Sequence, residues 1–160
     1  MPKMTVKGLE DFSSQLRQLG TRSEGVMKCA VFDGAAVLIE AVKEEIRAMP
    51  EEEGYLPPGA KRHVLTKREK QELLDHVGIA HMKTQDGKVS TTISFEGYTE
   101  HTTRAFPGGV PIPLIARSLE KGTSVRHQYD FLGKALNKAR ARVQQAMINA
   151  ANERMNNITK

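Results

Sequence analysis

The feature that most constrains the fold is a helical repeat of apolar residues in the last third of the chain. From Asp130 onward, apolar side chains recur at intervals of three and four residues, which places them within one arc of a helix. The arc contains Leu132, Ala135, Leu136, Ala139, Val143, Ala146, Met147 and Ala150. Because such an arc has to face a core, the pattern predicts a long C-terminal helix, whose first amides Asp130 can cap.

A short helix is predicted immediately upstream, from Pro113 to about Lys121. A proline near the start lacks only an amide that a helix leaves unbonded there. Gly122, just past the end, accepts the left-handed conformation that terminates many helices. A strand is the alternative for this segment.

Two further helices are predicted in the first third of the chain. Large apolar residues at helical spacing indicate a short helix from Thr5 to Gly20, with Gly20 as its end. A longer helix is expected from about Ser23 to Ala48, and Pro50 stops it because the proline ring clashes with the preceding turn. Gly34 lies in the apolar stripe of this helix and suggests a close approach to a sheet or another helix. A tolerated defect is the alternative.

The middle third changes from helical to strand periodicity. Thr66 and Glu69 have the spacing of a capping box, which predicts a short helix over residues 66–75. Alternating apolar residues on both sides of Asp86-Gly87 predict a β-hairpin over residues 77–95. The chain is therefore expected to form a single α+β domain over residues 1–160. A small antiparallel sheet of three or four strands should pack against the long central and C-terminal helices.

Two segments, 51–67 and 97–110, are rich in glycine, proline and polar or charged residues but poor in apolar ones. They bury too little apolar surface to offset the entropy of ordering. We therefore expect both to be mobile loops.

The net charge of +5 raises the question of nucleic-acid binding. Basic residues cluster within 61–68 and along the predicted last helix. The second cluster consists of Lys134, Lys138, Arg140 and Arg142. Both clusters lie on segments with the pattern of solvated surface, so a charged outer face is favoured over a DNA-binding groove. A basic module that binds nucleic acid without sequence preference is the alternative function.

No pattern indicates catalysis, a cofactor or a metal site. The five histidines lack the spacing that places two imidazoles on one helix face, and the phosphate-loop and nucleophile-elbow motifs do not occur. Glu120 and Asp130 are interpreted as a helix-end charge and an N-cap rather than as paired catalytic acids. The single cysteine, Cys29, excludes an intrachain disulfide. No apolar run approaches the ~20 residues of a membrane span.

A family resemblance is carried by the segment that joins the last two predicted helices. A small alanine is followed by a Glu-x-Gly-Thr-Ser turn and by a helix that begins with phenylalanine. These residues are Ala116, Glu120, Gly122, Thr123, Ser124 and Phe131. The opening phrase, residues 6–10, adds to the pattern. Together they resemble the tail-completion (head-tail joining) family of long-tailed double-stranded-DNA bacteriophages.

The resemblance implies a structural virion protein without enzymatic activity. Members of the family form a ring, commonly of six subunits, at the head-proximal end of the tail, where they complete the tail and join it to the DNA-filled head. The expected partners are other copies of the chain and the neighbouring tail and connector proteins. DNA would pass through the ring without specific binding, and no membrane would be involved. The expected location is the phage virion, after synthesis in the bacterial host cytoplasm.

Two features are candidates for contacts between subunits. Phe106, at the tip of the second loop, is either a buried anchor or a plug between subunits. Ala141, Ile148 and Met155 lie seven residues apart and opposite the core arc, so they form a thin apolar row on the last helix. Their uncharged neighbours favour a contact with a neighbouring helix over an ordinary exposed row.

Overall fold

Two long helices that run in opposite directions form the frame of the fold. The computed structural model describes residues 9–52, 65–124 and 126–158. The frame helices are α1 (Leu9–Ala48) and α4 (Phe131–Ile158). Gly34, in the C-terminal half of α1, lies against Met147, whereas Glu45, near the end of α1, pairs with Lys138. The two helices are therefore antiparallel.

The smaller elements lie between the frame helices in the sequence. They are α2 (Lys67–Asp75), β1 (Val77–Ile79), β2 (Lys83–Gln85), β3 (Lys88–Ser90), β4 (Ile93–Phe95) and α3 (Ile112–Lys121). The predicted α+β class, with a long central helix and a long C-terminal helix, is confirmed. In the described part of the chain, no helix is both long enough and apolar enough to cross a membrane.

The α1 helix is continuous, so the prediction that Gly20 ends a first helix is wrong. The backbone of Gly20 stays helical, and Ser23 Oγ donates a hydrogen bond to the Gly20 carbonyl oxygen at 2.8 Å. Glycine permits a left-handed helix end but does not impose one, and its cost inside a helix is only ~1 kcal/mol. The helix therefore continues where its hydrogen bonding is not interrupted.

The predicted close approach at Gly34 is confirmed, and the partner is α4. A Cβ atom at Gly34 would lie 2.5 Å from Met147 Cγ, 3.0 Å from Met147 Sδ and 3.4 Å from Val143 Cγ1. The first of these distances is an overlap, so the absence of a side chain is what lets α4 pack here. The alternative of a tolerated defect is excluded.

The start of α2 is a capping box, as predicted. The Glu69 amide donates to Thr66 Oγ1 at 3.2 Å, and the Thr66 amide donates to Glu69 Oε2 at 3.0 Å. One residue further on, Lys70 Nζ donates to the Met49 carbonyl oxygen and to Glu51 Oε1, each at 2.9 Å. These bonds tie α2 to the C-terminal end of α1.

The predicted β-hairpin forms, but its strands make two short sheets instead of one. The chain turns at Asp86 and Gly87, both of which have positive φ, and β2 pairs with β3. Further from the turn, β1 pairs with β4. Between the two pairs, the Ala80 amide still donates to the Thr92 carbonyl oxygen at 2.8 Å, whereas the Ala80 carbonyl oxygen accepts from the Thr91 hydroxyl at 2.7 Å. The expected three- or four-stranded sheet is corrected to two sheets of two strands.

The core lies between α1, α2, α3, α4 and the β1–β4 sheet. Its buried members are Ala41, Val42, Ile46, Met49, Leu65, Leu73, Val77, Ile112, Ile115, Ala116, Leu119, Phe131, Ala135 and Ala139. In the predicted arc of α4, Ala135, Ala139 and Ala150 are buried. Leu136 is 45% exposed, against the prediction, because it lies at one edge of the arc.

The segment before α3 is held by backbone hydrogen bonds. The Thr99 amide donates to the Val110 carbonyl oxygen at 2.9 Å, and the Ile112 amide donates to the Gly97 carbonyl oxygen at 3.0 Å. The next segment, α3, is a helix, which excludes the strand alternative. Mobility of 97–110 stays a prediction. Of the other predicted loop, residues 53–64 lie outside the described residues.

Candidate functional site

The joint between α3 and α4 contains the part of the family resemblance that spans residues 116–131. Residues 6–8 of its opening phrase lie outside the described residues. Ala116 and Phe131 are both buried in the same core cluster. The Phe131 ring meets the Phe95 ring of β4 edge-to-face, with 6.0 Å between the ring centroids. The small residue and the phenylalanine of the pattern therefore pack the base of the joint.

The turn after α3 depends on Gly122 and Thr123. Gly122 has φ of 72°, and a Cβ atom there would lie 3.1 Å from the Gln128 backbone nitrogen, so both its conformation and its surroundings favour glycine. The Thr123 amide donates to the Arg126 carbonyl oxygen at 2.8 Å, and the Arg126 amide donates back to Thr123 Oγ1 at 3.0 Å. This reciprocal pair closes the turn.

Glu120 caps α4 from the preceding helix. Its Oε2 accepts a hydrogen bond from the Leu132 amide at 3.1 Å. The prediction that Asp130 caps this first turn is therefore wrong for the Leu132 amide, which Glu120 caps instead. Asp130 has φ of 44°, instead of the extended conformation usual for an N-cap, and its carboxyl group lies close enough to that of Glu120 to raise the pKa of Glu120. Gly133 makes room for that group, since a Cβ atom there would lie 2.6 Å from Asp130 Oδ1.

The carboxyl groups of Glu120 and Asp130, which the sequence pattern assigned to separate roles, are therefore neighbours. Burial and the neighbouring Asp130 carboxyl group raise the pKa of Glu120, and they outweigh the hydrogen bonds from the Leu132 and Gly133 amides, which lower it. The arrangement links the capping of α4 to the protonation of Glu120.

Arg126 connects the joint to α2 through hydrogen bonds, a role that the sequence did not indicate. Its Nη2 donates to Glu69 Oε1 at 2.8 Å, and its Nη1 donates to Ser118 Oγ at 3.3 Å. Burial raises the pKa of Glu69, but hydrogen bonds from Thr66 and Arg126 outweigh it and hold the pKa below its usual range. Because Arg126 and Glu69 are 57 positions apart, no local spacing signals the pair.

The apolar row of α4 lies on the outer face of the helix, opposite the frame contact. Ile148 is 54% exposed and Met155 is 51% exposed, and Ala141 is also exposed. Gln144, Gln145 and Asn152 are exposed beside them. The row is therefore accessible for contact, as its position opposite the core arc predicted.

Phe106 is half-buried, so its side chain fits neither alternative fully. The backbone of Phe106 is held by hydrogen bonds within the loop. The Thr103 and Phe106 amides each donate to the other residue's carbonyl oxygen, at 3.1 and 3.0 Å, and the Gly109 amide donates to the Phe106 carbonyl oxygen at 3.2 Å. The anchor and plug interpretations both stay open.

Three of the four basic residues of the second cluster, on α4, contact groups of the same chain, and the fourth, Arg140, is exposed. Lys138 pairs with the buried Glu45, and Arg142 Nη2 lies 3.7 Å from Glu44 Oε2. Lys134 Nζ donates to the Tyr129 carbonyl oxygen at 3.0 Å and lies 4.0 Å from the centre of the Tyr129 ring. Of the first basic cluster, residues 61–64 lie outside the described residues.

Among the residues that the structure describes, no group of three or more His, Cys, Asp or Glu side chains is arranged to hold a metal ion. Comparison of the chain with protein-family models, with curated proteins and with solved structures finds no match.

Proposed function

We propose that this chain is a structural virion protein of a tailed phage or prophage. In the proposal it assembles as a ring, of six subunits by resemblance, at the head-proximal end of the tail. There it completes the tail and joins it to the DNA-filled head. The observation that carries the proposal is the α3–α4 joint, where the residues of the family resemblance have complementary structural roles.

Each of these residues has a distinct physical task at the joint. Ala116 and Phe131 pack its base, Glu120 caps the next helix, and Gly122 and Thr123 form the turn. These residues are close in sequence, so their proximity alone is expected. What supports the resemblance is that the identity of each residue has a structural reason at the joint, and the head-tail function is inferred from that resemblance.

A ring needs a surface on each subunit that contacts a neighbour. The outer row of α4, with Ala141, Ile148 and Met155, is our candidate because it is apolar, exposed and bordered by uncharged side chains. Phe106 is a second candidate, on the loop before α3. The row lies away from the antiparallel contact of α1 and α4, so its use for assembly would leave the frame intact.

The rival function is a basic module that binds nucleic acid without sequence preference. The pairing of Lys138 and Arg142 with carboxylates of α1 disfavours it, because paired cations contribute less to phosphate binding. We expect only weak binding of duplex DNA at physiological salt. Submicromolar binding that falls by orders of magnitude between low and moderate salt, in a fluorescence titration, would favour the rival instead.

Deletion of the gene from the phage or prophage that carries it tests the proposal. We expect induced lysates to contain DNA-filled heads and separate tails, visible by electron microscopy, with few joined particles. Supplying the chain from a plasmid should restore joined virions. Joined, infectious particles at normal yield without the chain would overturn the proposal.

A further inference from the structure

The N-terminal part of α1 extends past the end of α4. Gly34 of α1 lies against Met147 of α4, and Ile158, the last residue of α4, comes eleven residues after Met147. Because the two helices are antiparallel and both rise ~1.5 Å per residue, α4 ends opposite about residue 23 of α1. We call the part of α1 beyond this point, residues 9–22, the arm. At the same rise per residue the arm is ~21 Å long.

Exposure along α1 agrees with this geometry. Among the residues whose side chains the structure describes, Ala30 is the first of the helix to be buried. Before it, Met27 is 36% exposed, and nothing lies within 4 Å of a Cβ atom at Gly20. The β2–β3 hairpin reaches α1 at Glu24, where Thr84 Oγ1 donates to Glu24 Oε1 at 3.1 Å. The packing of α1 against α4 therefore ends before the arm begins.

The sequence continues the α4-facing stripe of α1 into the arm. Phe12 and Leu16 lie eighteen residues before Ala30, which is buried, and Gly34, which meets α4. Eighteen residues make five turns of about 3.6 residues, so positions 12 and 16 fall on the same side of the helix as positions 30 and 34. The apolar stripe of the arm consists of Leu9, Phe12, Leu16 and Leu19.

The spacing of the stripe is that of a helix that packs against another helix. Its intervals are three, four and three residues, which is the a and d pattern of a coiled coil over two heptads. The outer row of α4 repeats every seven residues and also spans two heptads, from Ala141 to Met155. Helices whose apolar residues share this period can interlock along their length. The arm and the row are therefore matched in period and in extent.

The arm cannot reach the row of its own subunit. The α1 helix is continuous, and the row lies on the face of α4 opposite the frame contact. The row that meets the arm therefore belongs to a second copy of the chain. A contact between two unlike surfaces is heterologous and can close into a ring, whereas a contact of row with row would stop at a dimer.

We propose that the arm of one subunit packs against the outer row of α4 in the next subunit. The inference rests on the proposed function, because it assigns the second of the two surfaces that a ring contact requires. The arm provides Leu9, Phe12, Leu16 and Leu19, and the row provides Ala141, Ile148 and Met155.

Mixing two variants of the full chain tests the proposal. Leu16→Asp disables the arm and leaves the row intact, whereas Ile148→Asp disables the row and leaves the arm intact. In light scattering, each variant alone should be a monomer with the melting temperature of the natural chain. An equimolar mixture, measured from the concentration at which the natural chain assembles upward, should form dimers of twice the monomer mass and nothing larger. Such a dimer contains the one contact that the two variants can still make.

Ser14→Asp is the matched control in the arm. Ser14 lies two residues from both Phe12 and Leu16, and therefore on the other side of the helix, so this variant should assemble like the natural chain. Normal assembly of Leu16→Asp, a mixture that stays monomeric, or a natural chain that is itself monomeric would overturn the proposal. A large drop in the melting temperature of Leu16→Asp would also overturn it, because the arm would then pack within its own subunit.

Failure of this contact and failure of the proposed function give different results. If deletion of the gene yields separate heads and tails while Leu16→Asp assembles normally, the arm contact is wrong and the head-tail function stands. If the mixture forms dimers while joined virions appear without the chain, the contact stands and the head-tail function is wrong.

Discussion

Replacing Gly34 with alanine should weaken the frame of the fold. The new Cβ atom would lie 2.5 Å from Met147 Cγ, so α4 or the Met147 side chain has to shift. Overpacking of this kind costs ~1–3 kcal/mol, whereas the gain in helix propensity over glycine is ~1 kcal/mol. We therefore expect Gly34→Ala to lower the free energy of unfolding by up to about 2 kcal/mol.

Gly25→Ala is the matched control in the same helix. Nothing lies within 4 Å of a Cβ atom at Gly25, so this variant gains the propensity without the collision. The two variants should differ by ~1–3 kcal/mol in urea unfolding, and each kcal/mol corresponds to roughly 2–4 °C in melting temperature for a chain of this size.

A double-mutant cycle of Gly34 and Met147 tests whether the steric overlap is with the Met147 side chain. Met147→Ala removes the atoms that the new Cβ atom meets, so Gly34→Ala should cost less in that background than in the natural chain. Stabilisation of the natural chain by Gly34→Ala to the same extent as by Gly25→Ala would refute the close approach of α4 at this position.

Three further predictions concern the joint, the outer row and the loops. Because the pKa of Glu120 is raised from its ordinary value of 4.5, its stabilising contribution is present below that pH and is lost as the pH rises through the folded-state pKa. Glu120→Gln keeps an acceptor for the Leu132 amide, so urea unfolding should show it gaining stability relative to the natural chain from pH 4 to pH 7. An equal difference in stability at both pH values would contradict the raised pKa of Glu120. Ile148→Asp should abolish assembly in light scattering with an unchanged melting temperature, whereas Asn149→Asp, the same charge beside the row, should assemble normally; a large drop in melting temperature would show that Ile148 is buried within the subunit. Limited proteolysis should cut first within 51–67 and 97–110, and initial cleavage inside α1 or α4 would show that core and loop are misassigned.

The sequence predicted best the elements whose signals are local. The capping box of α2 uses Thr66 and Glu69, three positions apart, and the end of α3 uses the positive φ of Gly122. Both signals depend on neighbouring residues only, so they can be recognised without knowledge of the tertiary contacts. Gly20 shows the limit of such signals, because a glycine allows a helix end that the surrounding structure need not use.

The parts of the site that the sequence missed depend on distant residues. Glu120 caps a helix that begins eleven positions later, at Phe131, and Arg126 pairs with Glu69 of another helix. By contrast, the exposure of Ile148 followed from its position opposite the core arc. Periodicity therefore located the surfaces, whereas the specific polar contacts required the fold.

The proposed head-tail function is tested most directly by cryo-electron microscopy of the head-tail junction, in virions of the phage or prophage that the proposal takes to encode this chain. The account predicts a ring of six copies at the top of the tail, each with the antiparallel α1–α4 frame resolved and the outer row of α4 against a neighbouring subunit. A junction built entirely from other proteins, with this chain absent from the particle, would contradict it.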